Sequence, residues 1–248
     1  GYIGWIEEKL KIKFNIKEDL WKNFIEIAER RNLYVHSGGK ITKLYINACK
    51  KNGIEIKNKK IDEEMGIPPE YFMRACQIIY VIGVQISQVL WRRLAPKEKE
   101  DADTLLLNIS ADLLNENNNW TAGRLLDFAN EDIKECSSEK IRLMFLINRA
   151  LAMKFGSALE KAKKLIKTID WSATDPVFKL AVAVIEDNFA DVKRNMIEIG
   201  NDEEMESSYR LWPLFKELKN KKEFIVTYEK IFKKPYLVEK KEKIIDKD

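Results

Sequence analysis

The chain is poor in the residues that metal centres and disulfide frameworks require. Its 248 residues include one histidine, His36, and three cysteines, Cys49, Cys76 and Cys136. These four residues lack the spacing of a tetrahedral zinc site, so we expect no metal. The cysteines are odd in number and far apart. We therefore interpret them as reduced, buried thiols of a cytoplasmic protein.

Glycine-rich phosphate loops and nucleophile elbows are also missing. The sequence contains no G-x-G-x-x-G and no G-x-S-x-G pattern. This excludes the usual dinucleotide-binding turn and the α/β-hydrolase nucleophile, and we expect no cofactor.

Long apolar runs are scarce as well. The longest candidate, around residues 78–84, is interrupted by Tyr80 and Gly83. A membrane span needs about 18 apolar residues, so we expect no membrane segment. The chain begins Gly-Tyr-Ile-Gly-Trp, without Met and without the plan of a signal peptide, and we expect further residues upstream.

Proline and glycine number six and ten, and both are rare in the amphipathic stretches, which predicts an all-α fold. In residues 1–96 we predict a four-helix bundle, with helices over 3–14, 18–35, 42–51 and 68–94. Asn15 or Asp19 is the expected cap of the second helix, and the glycines after Ser37 end it. The charge run after Pro96 predicts a domain boundary there.

Residues 97–248 show a repeat of about 34 residues. Trp120, Phe155 and Phe189 are spaced by 35 and 34 residues, and each is expected to open the second helix of a helix pair. Helix pairs with this period are typical of tetratricopeptide-like repeats, which stack to bury a shared core. We interpret these aromatic residues, with Trp171 and Trp212, as core residues. The charged tail from Lys233 onward is predicted to be frayed.

Charge is distributed unevenly between the two parts. Residues 1–97 contain 18 Lys or Arg against 11 Asp or Glu, whereas the remaining residues are slightly acidic. A basic first part can attract the phosphates of a nucleic acid. The alternative is that a high lysine content is general to this chain.

The candidate for chemistry lies at the end of the second helix. Asn32 and His36 are one turn apart and differ by about 40° around the helix, while the longer Arg31 can reach the same site. Histidine can move the proton of a ribose 2′-OH near neutral pH, and arginine can stabilise the charge that grows on the phosphate. Arginine five residues before histidine also occurs by chance, and a helix-terminal histidine is often only a capping or surface group.

At these residues the sequence resembles the HEPN ribonucleases. The segment ERRNLYVHSGGKITKLYINACKKNG contains Arg-Asn-x-x-x-His at the end of a long helix, before a glycine turn. The resemblance covers roughly residues 5–95. It implies an HEPN-like four-helix bundle, a homodimer, and a metal-independent endoribonuclease of bacterial antiphage, abortive-infection or toxin–antitoxin defence. It also implies catalytic roles for Arg31, Asn32 and His36.

Dimerisation is also expected on chemical grounds. Strand cleavage needs a base and an acid, yet each chain holds one histidine, so a two-fold dimer would supply both. Arg30 and Lys40 are expected to hold flanking RNA phosphates, and Tyr34 either stacks on a base or packs, with packing preferred. A second hypothesis is a non-catalytic HEPN-like adaptor that binds a nucleotide, or a protein partner through the helical repeats.

Overall fold

The computed structural model describes residues 2–56 and 59–236, and this part of the chain is helical. It contains twelve α-helices, two short 3₁₀ helices, one isolated antiparallel bridge and no strand. The all-α prediction is therefore confirmed. The chain divides into a first unit up to Ala102 and a second unit from Asp103. The expected boundary after Pro96 lies slightly earlier in the sequence.

The first unit contains four α-helices. They are α1 (Tyr2–Leu10), α2 (Glu18–Ser37), α3 (Lys43–Lys51) and α4 (Pro69–Leu94). The central helix, α2, packs against both α3 and α4. Its first residue follows Lys17, whose side chain makes no capping bond, so the expected Asn15 or Asp19 cap is wrong. The Thr42 hydroxyl does cap α3, where its oxygen accepts from the Tyr45 backbone N–H at 3.2 Å.

A small hydrophobic core joins the end of α2 to α3 and to the loop that follows. Its buried members are Leu33, Ile41, Tyr45, Cys49 and Met65, and Ile46, Ile54 and Ile56 pack against them. The loop between α3 and α4 is therefore attached to the core at several points. Of the three cysteines only Cys49 is buried, while Cys136 is half-buried and Cys76 is exposed, so the expectation of three buried thiols is wrong.

Helix α4 is long and only partly covered. Its buried side includes Ile78, Val81 and Ile82, and two polar residues, Gln85 and Gln88, are buried with them. Among the described residues it is the one helix long and apolar enough to cross a membrane, with a mean hydropathy of 1.3 over 18 residues, of which 33% are buried. Core helices of water-soluble proteins meet the same criterion, so this finding does not assign α4 to a membrane.

The second unit is an array of helix pairs. The helices are α5 (Lys99–Asn115) with α6 (Asn119–Glu131), α7 (Glu139–Phe155) with α8 (Leu159–Ile166), α9 (Pro176–Ile185) with α10 (Phe189–Ile199), and α11 (Glu203–Leu211) with α12 (Lys222–Phe232). Helix α7 packs against α8 and α9 packs against α10, whereas the tetratricopeptide-like identity of the pairs stays a prediction.

The turns inside the first three pairs share one geometry. Asn117, Ser157 and Asp187 each have a left-handed φ of 60° to 63°. The residue after each donates its backbone N–H to a carbonyl five residues earlier, at 2.8 to 2.9 Å. This is the Schellman end of an α-helix. The equivalent turns are 40 and 30 residues apart, so the even 35- and 34-residue period predicted from the aromatic residues is wrong.

Aromatic residues mark the repeat less well than these turns. Phe155 is the last residue of α7, so it does not open α8 as expected. Phe189 opens α10 but is 44% exposed, whereas Trp212 is buried at 8%. Trp120 and Trp171 are half-buried. The expectation that all five are core residues holds fully only for Trp212.

Side chains from elsewhere in the second unit cap the ends of its helices. Lys216 Nζ donates to the Leu114 carbonyl at 2.8 Å, at the end of α5. Lys154 Nζ donates to the Val184 carbonyl at 2.9 Å, at the end of α9. A positive charge at a helix C-terminus is favourable because the exposed carbonyls carry partial negative charge. These contacts fix where the helices end even though the pairs differ in length.

An aromatic cluster closes the second unit. Tyr209, Phe215, Phe224, Tyr228, Phe232 and Tyr236 are all buried. Tyr236 also donates its hydroxyl to the Tyr209 carbonyl at 3.1 Å. The predicted fraying of the tail is therefore wrong up to Tyr236, and its remaining part, 237–248, lies outside the described residues.

Candidate functional site

Two glycines end the motif helix. Gly38 has a left-handed φ of 55° and donates its backbone N–H to the Leu33 carbonyl, which stops α2 directly after Ser37. An added Cβ at Gly38 would meet nothing within 4 Å, so the backbone angle rather than space favours glycine. The sequence predicted this helix end from the same glycines.

Contacts across the next loop hold that end in place. The Met65 backbone N–H donates to the Gly39 carbonyl at 2.8 Å, and Lys40 pairs with Glu64 in the isolated bridge. The Tyr34 hydroxyl donates to the Met65 carbonyl. Its ring lies against Gly39, where an added Cβ would come within 3.2 Å of the ring. Tyr34 thus packs α2 onto the loop, as the preferred interpretation expected.

The three predicted catalytic residues lie together on the last two turns of α2. Arg31, Asn32 and His36 are all exposed, and they flank the buried anchor Leu33. Arg31 Nη1 donates to Asn32 Oδ1 at 3.3 Å. Within the described residues the His36 ring makes no hydrogen bond and no ion pair. The site therefore offers an arginine, an amide and an imidazole to solvent on a fixed helix end.

A half-buried polar cluster surrounds Glu26 of α2, and sequence reasoning missed it. The Glu26 carboxylate accepts from Tyr45 at 2.9 Å, from Tyr71 at 2.7 Å and from Arg30 Nε at 2.8 Å. It thereby joins three helices, since Tyr45 belongs to α3 and Tyr71 to α4. The only signal in the sequence is that Glu26 precedes Arg30 by one helical turn.

Arg30 belongs to this cluster. Its guanidinium lies 3.7 Å from the centre of the Tyr71 ring, and Nη1 donates to the Gly66 carbonyl at 3.1 Å. Burial disfavours its charge, but the Glu26 carboxylate outweighs this and keeps the pKa of Arg30 above its usual value. Burial beside the same carboxylate raises the pKa of Tyr45 and Tyr71. The Arg30 guanidinium is thus held by internal contacts, and an RNA contact of Arg30 would compete with them.

Lys40 is the remaining predicted RNA contact. It is exposed just after the glycines, and its side chain forms no ion pair with any described residue. The structure therefore leaves its charge available next to the motif. As for metals, within residues 2–56 and 59–236 no three His, Cys, Asp or Glu side chains are grouped so that they could hold an ion.

Comparison of the chain with family models, curated proteins and solved structures found no match. The resemblance to HEPN ribonucleases rests on the motif residues and their neighbours.

Proposed function

We propose that this chain is a metal-independent endoribonuclease that acts as a homodimer, in bacterial antiphage or toxin–antitoxin defence. The observation that supports it most is the placement of Arg31, Asn32 and His36. They are exposed together on a helix end that is fastened to its own core, while the neighbouring Arg30 and Tyr34 are used for packing. The defence role comes from the resemblance alone.

The chemistry follows from the side chains. One His36 takes the proton of a ribose 2′-OH, and the 2′-oxygen attacks the phosphorus. The bond from phosphorus to the 5′-oxygen breaks, and a protonated second His36 gives its proton to that leaving oxygen. Arg31 pairs with the charged phosphate oxygens, and Asn32 orients Arg31 through their hydrogen bond. The products are a 2′,3′-cyclic phosphate and a 5′-hydroxyl.

A dimer is needed because each chain has a single histidine. The surface we assign to the partner copy is the α4 apolar face, defined as Phe72, Met73, Ile79 and Tyr80, which are all exposed. It begins close to α2, because Arg30 of α2 contacts Gly66 just before α4 and Tyr71 in the first turn of α4. A two-fold axis near this face would bring together the two copies of α2, the helix that carries the motif.

Replacing Phe72 with Glu should break the dimer, because it would put a charge in the centre of a buried apolar contact. Phe72 is 58% exposed in the single chain, so the variant should fold. We expect monomers by light scattering and a loss of RNA cleavage of about 10²–10⁴-fold, since one proton transfer loses its group.

Leu44→Glu is the matched control, because Leu44 is 79% exposed on α3 of the same unit and should tolerate the charge. Wild-type protein that is monomeric and still active would contradict the dimer. Binding of wild type, but not Phe72→Glu, to lipid vesicles would assign the α4 apolar face to a membrane instead.

The ribonuclease proposal itself is tested by incubating the purified chain with total RNA. We expect fragments ending in 2′,3′-cyclic phosphate, formed equally well with and without EDTA, because the RNA supplies its own nucleophile. The 3′ ends of the fragments should resist ligation until the cyclic phosphate is opened and the resulting phosphate is removed. Cleavage that requires a divalent cation, or fragments with 5′-phosphates, would overturn the mechanism.

A further inference from the structure

The second unit contains a groove that the proposed ribonuclease does not use. It is lined by residues of α5, α7, α9, α10 and α11 and has a volume of about 980 Å³. Its apolar lining includes Leu107, Met144, Phe178 and Trp212. The volume lies at the upper end of the range for ligand-binding sites, and the apolar lining can take side chains of a partner.

Asn148 gives the groove a hydrogen-bond donor. The residue is 2% exposed and lines the groove, and its Oδ1 accepts from Trp212 Nε1 at 3.0 Å. Within the described part of the chain its Nδ2 donates to no other atom. The Asn148 side chain lines the groove with this donor free, so a ligand with carbonyl oxygens can accept a hydrogen bond from it. An extended peptide backbone provides such oxygens.

The charge of the groove has one dominant sign. One lysine lines the groove, Lys140, and its Nζ lies 3.8 Å from Glu204 Oε1. The five acidic residues that line it are Asp112, Asp175, Glu198, Asp202 and Glu204. Asp175 and Asp202 cap α9 and α11 through backbone N–H groups. Asp112 and Glu198 are exposed, and their carboxylates form no hydrogen bond or ion pair with any described residue. The groove therefore presents uncompensated carboxylates beside an apolar floor.

We infer that this groove binds an extended peptide segment that alternates basic and apolar residues. The basic side chains pair with Asp112 and Glu198, the apolar ones lie against Met144 and Phe178, and a backbone carbonyl accepts from Asn148. Electrostatic complementarity of this kind selects the partner and speeds its association. The same carboxylates repel phosphate groups, so the groove is not an RNA site.

The test uses the full chain and a fluorescein-labelled peptide of about ten residues, the span of an extended segment along two to three helices. Its lysines alternate with leucine and serine, and a second peptide has glutamate at each lysine position. We expect saturable anisotropy with the lysine peptide, weakening as salt rises, and none with the glutamate peptide. The double variant Asp112→Asn, Glu198→Gln should weaken binding about tenfold, because two ion pairs are lost.

Glu116→Gln with Glu160→Gln is the matched control, because both are exposed carboxylates of the same unit that do not line the groove. It changes net charge equally and should leave binding unchanged. Equal weakening by both double variants would mean attraction to overall charge and would overturn the groove site, as would equal binding of the two peptides. None of these readouts depends on RNA cleavage. The experiment therefore tests the groove independently of the proposed ribonuclease.

Discussion

His36→Ala should abolish RNA cleavage while the chain stays folded. The imidazole is proposed to carry both proton transfers of the reaction in the dimer, and each contributes about 10²–10⁴-fold. The ring is exposed and has no hydrogen bond to any described residue, so its loss removes no internal contact. We expect a rate at the detection limit in the total-RNA assay, with an unchanged melting curve.

Arg31→Ala should reduce the rate of RNA cleavage by about 10²–10³-fold, because a donor to the charged phosphate oxygens is lost. Arg31→Lys should recover little of this, since lysine keeps the charge but not the two-pronged geometry of a guanidinium. Arg194→Ala is the matched control, because its side chain is 70% exposed in the second unit. Full activity of His36→Ala would contradict the mechanism.

The adaptor hypothesis makes a different prediction about the same residue. In a ribonuclease dimer the two His36 rings lie in one basic cleft, whereas in an adaptor they lie on opposite outer faces. Because the chain has one histidine, the proton NMR spectrum of the untagged protein contains a single kind of imidazole. Binding of a short RNA analogue with a non-cleavable 2′-deoxy site should shift these signals in wild type and in Arg31→Lys much less. Unshifted signals with a bound analogue would favour the adaptor.

Helix ends were predictable because their signals are local. The glycines after Ser37 end α2 as expected, α3 ends just before Asn52 and Gly53, and α4 begins at Pro69, the last two within one residue of the predicted bounds. Each signal depends only on the backbone angles that these residues allow or forbid, so no knowledge of the rest of the fold is required.

The faces that helices bury were less predictable. Leu44, Phe72 and Ile79 are apolar residues of the predicted amphipathic helices, yet all three are exposed, at 79%, 58% and 48%. Periodicity marks an apolar stripe and does not say which neighbour covers it, or whether the neighbour belongs to the same chain. The predicted period of the repeat in the second unit is wrong for a related reason. Its equivalence lies in the αL turns at Asn117, Ser157 and Asp187, and no single residue type marks an αL turn.

The surroundings of the candidate site were also predictable only in part. The motif residues Arg31, Asn32 and His36 were readable because they share one helix end. The Glu26 cluster was not, because it joins α2 to residues 19 and 45 positions further along the chain, a pairing that only tertiary packing creates. Arg30 lies beside Arg31 in the sequence but points into that cluster. Two adjacent arginines therefore have different surroundings, which sequence spacing alone could not separate.

Tyr209→Ala should cause the largest loss of stability among the substitutions considered. The ring lies 4.8 Å from the centre of Phe215 and 5.8 to 6.1 Å from those of Phe224, Phe232 and Tyr228. Truncating a large ring in a closed core leaves a cavity, and the expected loss is about 3–5 kcal/mol in the free energy of unfolding. Urea denaturation followed by tryptophan fluorescence measures it.

Two Tyr→Phe variants separate the ring of Tyr209 from its hydroxyl. The Tyr209 hydroxyl is buried without a hydrogen-bond partner in the described part of the chain, and burial raises its pKa. Tyr209→Phe should therefore be neutral or slightly stabilising, since an unsatisfied polar group is removed. The Tyr228 hydroxyl, by contrast, donates to Glu206 at 2.9 Å and accepts from Arg210 at 3.1 Å. Tyr228→Phe should cost about 1–2 kcal/mol, because hydrogen bonds to charged groups are lost. If Tyr209→Phe lowered the free energy of unfolding as much as Tyr228→Phe, the Tyr209 hydroxyl would have a hydrogen-bond partner. The aromatic packing around Tyr209 would then not be its only stabilising contact.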